Sequence, residues 1–467
     1  MQIVAPRAPR FDWSNAIEIA FTLATLYFTT GTLNGPLAGL LKVEVDTRNL
    51  NLVDMAESAT DAPIFLVLKM AILLATVVWI ALRQQRYRAI LSRPWLIWAY
   101  TGLVVLSAAW TPEPIATFRK GIFFVATTLF GIYFAARFSV RQQILLVASA
   151  LGISVFTNFV FGLLFPAYAQ HVMYWAGAWR GIFTHKNAMA QVMVQSALVL
   201  QIAIPLAAGR QRRWLQAALG CAVLLVLLST SKTGLSLLLL LSLLLLVLRS
   251  LRVDRLEAKL GMMTAGLLLV LLVVGFVGNF ELILTSMGRD PTLTGRTDIW
   301  AVLLEKAGQR LWLGYGFQAF WAPGMAGEAA DLWYRNRYIV DTAHNGFIDI
   351  LLQFGVVGLG IFFASLAVNV ARGYRWLMTW RSPEGLYPLA FFAYWVLYSL
   401  TESTVPESFG LNWVMYVSIA TSLLIYHLPD PLSSPLPTAP AIGQNQAAAS
   451  LRTAHETLST HSDSAQR

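Results

Sequence analysis

Apolar runs long enough to cross a membrane recur along the whole chain. A helix needs about 20 residues to span the roughly 30 Å of hydrocarbon in a bilayer. Only 12% of the residues are charged, whereas a soluble domain carries about 25%. The pattern predicts an all-α polytopic membrane protein. Its candidate transmembrane helices, twelve in number, lie at residues 15–41, 62–82, 94–110, 119–136, 143–165, 187–208, 213–230, 233–249, 260–279, 344–370, 386–401 and 410–427.

The connections between these spans alternate in charge. Lys and Arg are concentrated in the cytoplasmic loops of membrane proteins, so the basic connections are expected inside, together with both termini. The basic set comprises 83–93, 136–141, 209–213, 249–259 and 371–381, and the neutral or acidic set 42–61, 111–118 and 401–408. This distribution accounts for the net charge of +10, and no nucleic-acid partner is expected.

The alternation divides the chain into five predicted regions. The tail is rich in Pro, Ser, Ala and Thr and has few large apolar residues, which is typical of disordered segments. In order, the regions are a cytoplasmic N-terminus (1–14), transmembrane helices one to nine (15–279), a periplasmic loop domain (280–343), helices ten to twelve (344–427) and a disordered cytoplasmic tail (428–467).

The long outer loop is expected to contain a short amphipathic helix. TDIWAVLLEKAGQ (297–309) carries apolar residues at helical spacing. We expect this helix to lie along the membrane, with Arg296 at its start. The next stretch, LWLGYGFQAFW (311–321), is a Gly-aromatic turn whose rings would either pack on the membrane surface or stack on sugar rings.

The sequence indicates neither a cofactor nor a bound metal. Cys221 is the single cysteine, which excludes internal disulfides. The six histidines are dispersed, without the spacing typical of metal ligands. No nucleotide-binding fingerprint is present, and SKTG (231–234) lacks the glycine-rich lead of a phosphate-binding loop. The energy for any reaction would therefore come from the substrate itself.

A polar segment, YWAGAWRGIFTHKN (174–187), precedes the sixth span and brings cations to an outer helix start. Helix N-termini favour anions, and arginine can bind phosphate oxygens with two hydrogen bonds. The segment therefore predicts a diphosphate seat that includes Arg180, His185, Lys186 and Asn187. The alternative is that its Trp, Tyr and Lys side chains only anchor the chain at the membrane interface.

Lys232 lies inside the apolar run 213–249, whose two flanks are both basic. Because both flanks are expected in the cytoplasm, the run must cross twice, with residues 231–234 at the outer turn. Two interpretations of Lys232 stay open. It faces a polar cavity, as charges buried in a bilayer usually do, or it sits among the lipid headgroups at the tip of the hairpin.

Two further segments place polar side chains at the outer ends of spans. His344 and Asn345 begin the tenth span, and histidine suits general acid/base work near neutral pH. Glu402 and Glu407 follow the eleventh span, where a carboxylate could orient a histidine or an arginine. The alternatives are a structural or solvated histidine and a plain acidic surface loop.

At these motifs the chain resembles the O-antigen ligase/polymerase superfamily of bacterial membrane glycosyltransferases, and most of all its exopolysaccharide (succinoglycan-type) polymerase branch. Each motif is short, and the specificity lies in the ordered set over roughly residues 60–427. The motifs are RGIFTHKNAMAQ (180–191), STSKTG (229–234), GRTDIW (295–300), LGYGFQAF (313–320), AHNGFIDILLQFGVVGLG (343–360) and TESTVPESFGLNW (401–413).

The resemblance implies metal-independent transfer of a glycan from a polyprenyl diphosphate at the periplasmic face of the inner membrane. Arg180 and Arg296 match arginines of the family motifs, and His344 matches the proposed acid/base histidine. Arg180, Lys186 and Arg296 would stabilise the departing diphosphate, and His344 would accept the proton of the acceptor hydroxyl. His185, Asn187, Lys232, Asn345 and Glu402 are candidate substrate-binding residues.

Three functions stay open at this point. A polymerase would join lipid-linked repeat units of an exopolysaccharide or O-antigen, and a ligase would transfer the glycan to lipid A-core. Either would work in membrane lipid beside a flippase and chain-length or export proteins. The third function, a secondary transporter or flippase, is disfavoured because few charges lie inside the spans, notably Lys69 and Asp349.

Overall fold

The computed structural model describes residues 13–34, 63–171, 175–252, 296–321 and 342–425, with short pieces at 256–257, 260–261, 264 and 328–329. Most of the predicted span at 260–279 and most of the long loop outside 296–321 lie outside this described part, as do most of the predicted N-terminus (1–14), the predicted outer connection 42–61 and the predicted tail at 428–467.

The described chain is almost entirely helical. Fourteen α-helices occur within it: α1 (Trp13–Thr29), α2 (Pro63–Leu82), α3 (Gln84–Leu91), α4 (Trp95–Leu106), α5 (Pro114–Arg137), α6 (Val140–Leu164), α7 (Pro166–Ala169), α8 (Lys186–Ala203), α9 (Gly209–Leu228), α10 (Lys232–Ser250), α11 (Arg296–Gln309), α12 (Gly346–Thr379), α13 (Tyr387–Ser399) and α14 (Leu411–Ile425).

Several of these helices begin where the sequence offers a cap. Ser139 accepts a hydrogen bond from the backbone N–H of Gln142, whose side chain bonds back to Ser139, so the two form a capping box at the start of α6. Proline occupies the first position of α5, where its missing N–H costs nothing. Asn345 caps α12 through its side-chain oxygen.

The helices confirm an integral membrane protein. Seven of those described are long and apolar enough to cross a bilayer, and Trp95–Ala109 and Leu411–Ile425 form shorter apolar helices. Several of the predicted spans have other bounds. Helix α1 ends at Thr29, where the chain turns at Thr30 and Gly31, whereas the first span was predicted to reach residue 41. The helix of the tenth span continues to Thr379 rather than ending at residue 370, and the eleventh is a helix of only 13 residues, α13.

The run 213–249 is broken as predicted. Helices α9 and α10 are separated by Ser229, Thr230 and Ser231, and the side chain of Ser231 caps α10 by accepting from the backbone N–H of Gly234. Thr230 has a φ of 51°, a left-handed conformation that is rare for a β-branched residue. The three residues therefore form a tight, strained hairpin tip.

Burial separates central from peripheral helices. In the apolar stretch that α8 forms, 72% of the residues are buried inside the protein, whereas in α2 only 17% are buried. The exposed face of α2 consists of Val67, Met70, Leu74 and Val78, which suits contact with lipid tails. Helix α8 therefore lies at the centre of the bundle, and its first residues lie at the end where the predicted site residues gather.

Helix α12 is two helices joined at a break, which corrects the prediction of one continuous tenth span. Gly355 has a φ of 61° and a ψ of −162°, a backbone conformation suited to glycine. The turn at 311–316 inserts at the break and satisfies the backbone groups that it frees. The bonds run from Tyr315 N to Leu352 O (2.8 Å), Gly316 N to Gln353 O (2.9 Å), Val356 N to Leu311 O (2.8 Å) and Val357 N to Trp312 O (3.3 Å).

This exchange leaves no room for side chains at the contact. A Cβ added to Gly314 would lie 2.5 Å from the Gln353 backbone, and one added to Gly355 would lie 2.3 Å from that of Trp312. In a bilayer every backbone polar group needs a protein partner. The loop segment therefore supplies the partners that allow the membrane helix to break.

The apolar side of α11 packs on the protein. This side therefore does not lie against the membrane surface, where it was expected. Ile299, Leu303 and Ala307 are buried in one cluster with Leu352 of α12. The aromatic turn is corrected in the same way. Tyr315, Phe317 and Phe320 are at most 1% exposed, and only Trp312, at 70%, stands out from the surface.

Candidate active site

Glu402 lies in the loop between α13 and α14 and is only 8% exposed. The loop around it is held at several points. The indole of Trp395 donates to the carbonyl of Thr404 at 2.5 Å, and the hydroxyl of Ser403 donates to the buried carboxylate of Asp349. Asp349 also accepts from the indole of Trp321 at 2.8 Å. The Glu402 carboxylate is therefore carried by a rigid segment.

Three side chains from distant parts of the sequence converge on this carboxylate. Asn187 Nδ2 donates to Glu402 Oε1 at 2.8 Å, and Arg296 NH2 donates to the same oxygen at 3.1 Å. His344 Nδ1 lies 3.0 Å from Oε2. The carboxylate thus joins the starts of α8, α11 and α12. We call these four residues the Glu402 cluster.

The backbone at His344 is held in an uncommon conformation. Its φ is 47°, and such outliers often occur where neighbouring structure dictates a functional geometry. The indole of Trp300 in α11 donates to the carbonyl of Ala343 at 2.8 Å, which fixes the chain on one side. On the other side Asn345 Oδ1 accepts from the N–H groups of Phe347 and Ile348.

These bonds give Asn345 a structural role. Its side-chain oxygen caps α12, and its contact with a substrate stays a prediction. The cap and the bond from Trp300 direct His344 towards Glu402.

The start of α8 also differs from the expected anion seat. The backbone N–H of Lys186 donates to His171 Nε2, and that of Asn187 donates to His185 Nδ1, both at 3.2 Å. Two of the N–H groups predicted to be free for a phosphate are therefore bound to histidine rings. Both ring nitrogens act as acceptors, so both histidines are neutral in this arrangement.

The cations predicted to hold a diphosphate lie at the same end of the bundle as the Glu402 cluster. Arg180 Nε donates to the carbonyl of Tyr168 at 2.9 Å. Lys186 Nζ lies 3.5 Å from the Thr230 hydroxyl at the hairpin tip. Lys232, the first residue of α10, is exposed there and close enough to repel the charge of Lys186. Of the two interpretations of Lys232, the structure favours the one that places its side chain at the tip of the hairpin.

Arg180 is separate from the Glu402 cluster in its hydrogen bonding. Both of its described bonds go to backbone carbonyls, those of Tyr168 and Thr184. The loop that carries it is positioned by Asn158, whose side-chain oxygen accepts from the N–H of Ile182 at 3.0 Å. Arg180 still lies close enough to His171 to influence its charge, on the side of the site where Lys186 lies.

Two comparisons with known proteins match this chain. Residues 217–363 match the family model described as O-antigen ligase. This stretch of the chain is similar to that family. Over 324 residues it is also 26% identical to the exopolysaccharide production protein ExoQ of Rhizobium meliloti (strain 1021), a match that covers 66% of this chain and 72% of that protein. The resemblance drawn from the short motifs is thereby confirmed.

The residues that match the family model contain only part of the site. Arg296, His344 and the hairpin tip lie within the matched residues. Asn187 lies before them and Glu402 after them, although both bond to residues of the site. The tertiary structure therefore adds groups from either side of the matched residues.

Charge in the site is set by burial and by close partners. Burial alone would raise the pKa of Glu402, but the hydrogen bond and charge of His344, together with Arg296, outweigh it and hold that pKa below 4.5. Burial lowers the pKa of His185 to about 4, with a further contribution from His171. Near neutral pH the site therefore contains a charged carboxylate and a neutral His185.

Two features of the site escaped the sequence analysis. His171 was counted among dispersed histidines, but its ring lies 5.4 Å from that of His185 and caps the same helix start. Ser231 donates to Asn187 Oδ1 at 2.9 Å, a link across 44 residues that no local pattern indicates. The one available signal for Ser231 was its position within the family motif STSKTG.

Proposed function

We propose that this protein polymerises polyprenyl-diphosphate-linked oligosaccharide repeat units at the outer face of a bacterial inner membrane, in exopolysaccharide or O-antigen synthesis. One observation carries the proposal: a charged, buried carboxylate holds His344 by Nδ1. The family match and the similarity to an exopolysaccharide production protein support the reaction class.

The hydrogen bond assigns different roles to the two ring nitrogens of His344. A carboxylate can only accept, so Nδ1 carries the hydrogen and Nε2 keeps its lone pair. Glu402 then stabilises the imidazolium that forms when Nε2 takes a proton, as carboxylates paired with histidines do in other enzymes. His344 is therefore suited to act as a general base.

The reaction follows from this arrangement. The oxygen of the acceptor hydroxyl forms a bond to the anomeric carbon of the donor sugar, and its proton passes to His344 Nε2. The bond between that carbon and the phosphate oxygen breaks, and the diphosphate leaves with the electron pair. Because attack and departure occur on opposite faces in one step, the anomeric configuration is inverted.

The cations at this end of the bundle suit the departing diphosphate. Lys186 and Lys232 lie close enough to repel each other, and an anion placed between them relieves that repulsion. Arg180 lies on the same side, beside His171. Fixed positive groups aimed at developing negative charge are a principal source of rate enhancement. Arg296 is different, because Glu402 already pairs with it.

Purified protein incubated with a defined lipid-linked repeat unit tests the proposal. We expect a ladder of polymer on a glycan gel, and loss of the ladder in His344→Gln and Arg180→Ala. Arg310→Ala is the matched control, because Arg310 is 40% exposed and pairs only loosely with Glu328 at 3.6 Å. A ladder of normal length from His344→Gln would contradict the assigned base.

The family description also supports a second candidate, a ligase that transfers the glycan to lipid A-core. A deletion strain separates the two functions. Without a polymerase, single repeat units stay on the lipid carrier and no long polymer forms. Without a ligase, long polymer forms but stays unattached to lipid A-core.

A further inference from the structure

The side-chain amide of Asn187 has a protein partner at each end. Nδ2 donates to Glu402 Oε1 at 2.8 Å, and Oδ1 accepts from the hydroxyl of Ser231 at 2.9 Å. From the sequence, Asn187 is a candidate substrate-binding residue, but both ends of its amide are engaged within the protein. The amide instead connects the hairpin tip between α9 and α10 to the Glu402 cluster.

The polarity of this connection is determined by its two neighbours. The charged carboxylate of Glu402 accepts only, so it requires the NH₂ end of the amide. The Ser231 oxygen already accepts from the N–H of Gly234 at 3.2 Å, which leaves its own hydrogen for Asn187 Oδ1. Ser231 is 3% exposed, so water does not readily substitute for this bond. The amide therefore has one favoured orientation.

This orientation decides which carboxylate oxygen meets the histidine. Glu402 Oε1 receives both Asn187 and Arg296, at 2.8 and 3.1 Å. Oε2 is left to His344, at 3.0 Å. If the Asn187 amide were flipped, its Oδ1 would face Glu402 Oε1. The two oxygens would repel each other, and the carboxylate would rotate away. The bond that holds the Nδ1–H tautomer of His344 would then be disturbed.

We propose that Ser231 and Asn187 are positioning residues, forming a relay that aligns Glu402 and so sets the tautomer of His344. The proposal deepens the polymerase function above and rests on it for its kinetic consequences. Neither residue touches the reacting atoms. Hydrogen-bonded partners that orient metal-bound histidines change activity by about 10- to 100-fold when they are removed, and we expect losses of the same order here.

Paired variants in the ladder assay test the relay. Ser231→Ala removes the donor to Asn187, and we expect kcat to fall about 10-fold while KM for the lipid-linked donor stays unchanged. Ser229→Ala is the matched control. It removes a buried hydroxyl from the same tip, one that bonds to Val226 and to the N–H of Ser231 but not to Asn187. Equal losses in the two variants would overturn the relay.

Asn187→Asp supplies a pH signature that a purely structural role would not produce. The introduced carboxylate repels Glu402 near neutral pH, and we expect about a 100-fold loss of kcat. Once protonated, the introduced carboxyl can donate to Glu402 in place of Nδ2, so the loss of kcat relative to the wild type at the same pH should shrink as the pH falls towards 5. The titratable and charged groups around this position are Glu402, His344 and Arg296, with His185 and Lys186 just before it in the chain.

A wild-type-like pH profile in Asn187→Asp, or a raised KM with unchanged kcat, would show that Asn187 binds substrate instead. A readout independent of activity separates the relay from the proposed function. In ¹⁵N-histidine spectra of the full-length protein, assigned with His344→Gln, we expect Ser231→Ala to reduce the Nδ1–H form of His344. If the wild type makes no polymer but this shift occurs, the relay holds and the polymerase assignment fails. An unchanged tautomer in Ser231→Ala overturns the relay.

Discussion

Two buried glutamates, each held by two basic side chains, occupy opposite ends of this helix bundle. Glu18 in α1 pairs with Arg83, which follows α2, and with Arg137 at the end of α5. Glu402 pairs with Arg296 and His344. Helix α6 runs between the two ends. It begins just after Arg137 and leads, over 25 residues or about 37 Å, to the loop that carries Arg180.

The two clusters differ in what holds the carboxylate. Glu18 is fully buried and meets Arg83 NH2 at 2.8 Å, Arg137 Nε at 2.8 Å and the Tyr133 hydroxyl at 2.9 Å. Arginine stays protonated at all relevant pH, so this cluster ties three helix ends together. One partner of Glu402 is a histidine with a φ of 47°, which can change charge. Permanent charges suit structure, and a titratable partner suits chemistry.

The largest effect is expected from Glu18→Gln. The substitution leaves two arginines beside a buried site without their counter-charge, and breaking a buried ion pair costs about 3–5 kcal/mol. Thermal unfolding in detergent should show a large drop in Tm or loss of folded protein. Turnover per folded molecule should stay unchanged. A loss of turnover in Glu18→Gln at an unchanged Tm would contradict the assignment of a structural role to the Glu18 cluster.

Glu402→Gln should show the opposite pattern. The variant keeps the shape of the side chain but removes the charge that orients His344, and we expect turnover to fall about 100-fold. The fall in Tm should be smaller than for Glu18→Gln, because Arg296 and His344 are partly exposed. Glu407→Gln, an exposed position in the same loop, serves as the matched control. Comparable turnover in the two variants would contradict the role of Glu402.

The stability of the protein should depend on pH through His185. Its pKa is lowered from 6.5 to about 4, so below pH 6.5 the unfolded chain takes up a proton that the folded protein does not. Stability is then highest above pH 6.5 and falls as the pH drops towards 4, by at most about 3 kcal/mol at 1.36 kcal/mol per pKa unit.

Melting temperatures between pH 7.5 and 5 test this dependence. His185→Gln should make the decline shallower, because it removes the more strongly shifted of the two histidines at this helix start; burial also lowers the pKa of His171, which contributes the remainder. Arginine does not titrate in this range, so the arginines beside Glu18 leave the decline unaffected. A slope as steep in His185→Gln as in the wild type would assign the dependence to another group.

The smallest effect is expected from Lys232→Gln. Lys232 is exposed at the hairpin tip, where a single charge contributes little and salt screens it. We expect kcat/KM for the lipid-linked donor to fall about threefold at low salt, which corresponds to roughly 0.7 kcal/mol. The difference should fade at high ionic strength. A loss of more than tenfold that persists at high ionic strength would contradict this minor contribution to the stabilisation of the diphosphate.

Much of the fold was predictable because membrane helices obey local rules. The break between α9 and α10 followed from the basic flanks at both ends of the run 213–249. The helix beginning near Arg296 followed from its apolar spacing. The break at Gly355 could not be predicted, because it depends on four backbone bonds to a turn about 40 residues earlier. The burial of Tyr315, Phe317 and Phe320 could not be predicted for the same reason, because it depends on which surface the turn packs against.

The sequence by itself determined that the chain spans a membrane, that cationic and histidine residues gather at the starts of particular helices, and which family motifs they belong to. These properties depend on composition and on residues close together in the chain. Only the tertiary structure decided that Asn187, Arg296 and His344 share one carboxylate, and that the first N–H groups of α8 bind histidines. The physical reason is distance along the chain. Glu402 lies 58 residues from His344 and 215 from Asn187, so helix packing alone sets their geometry.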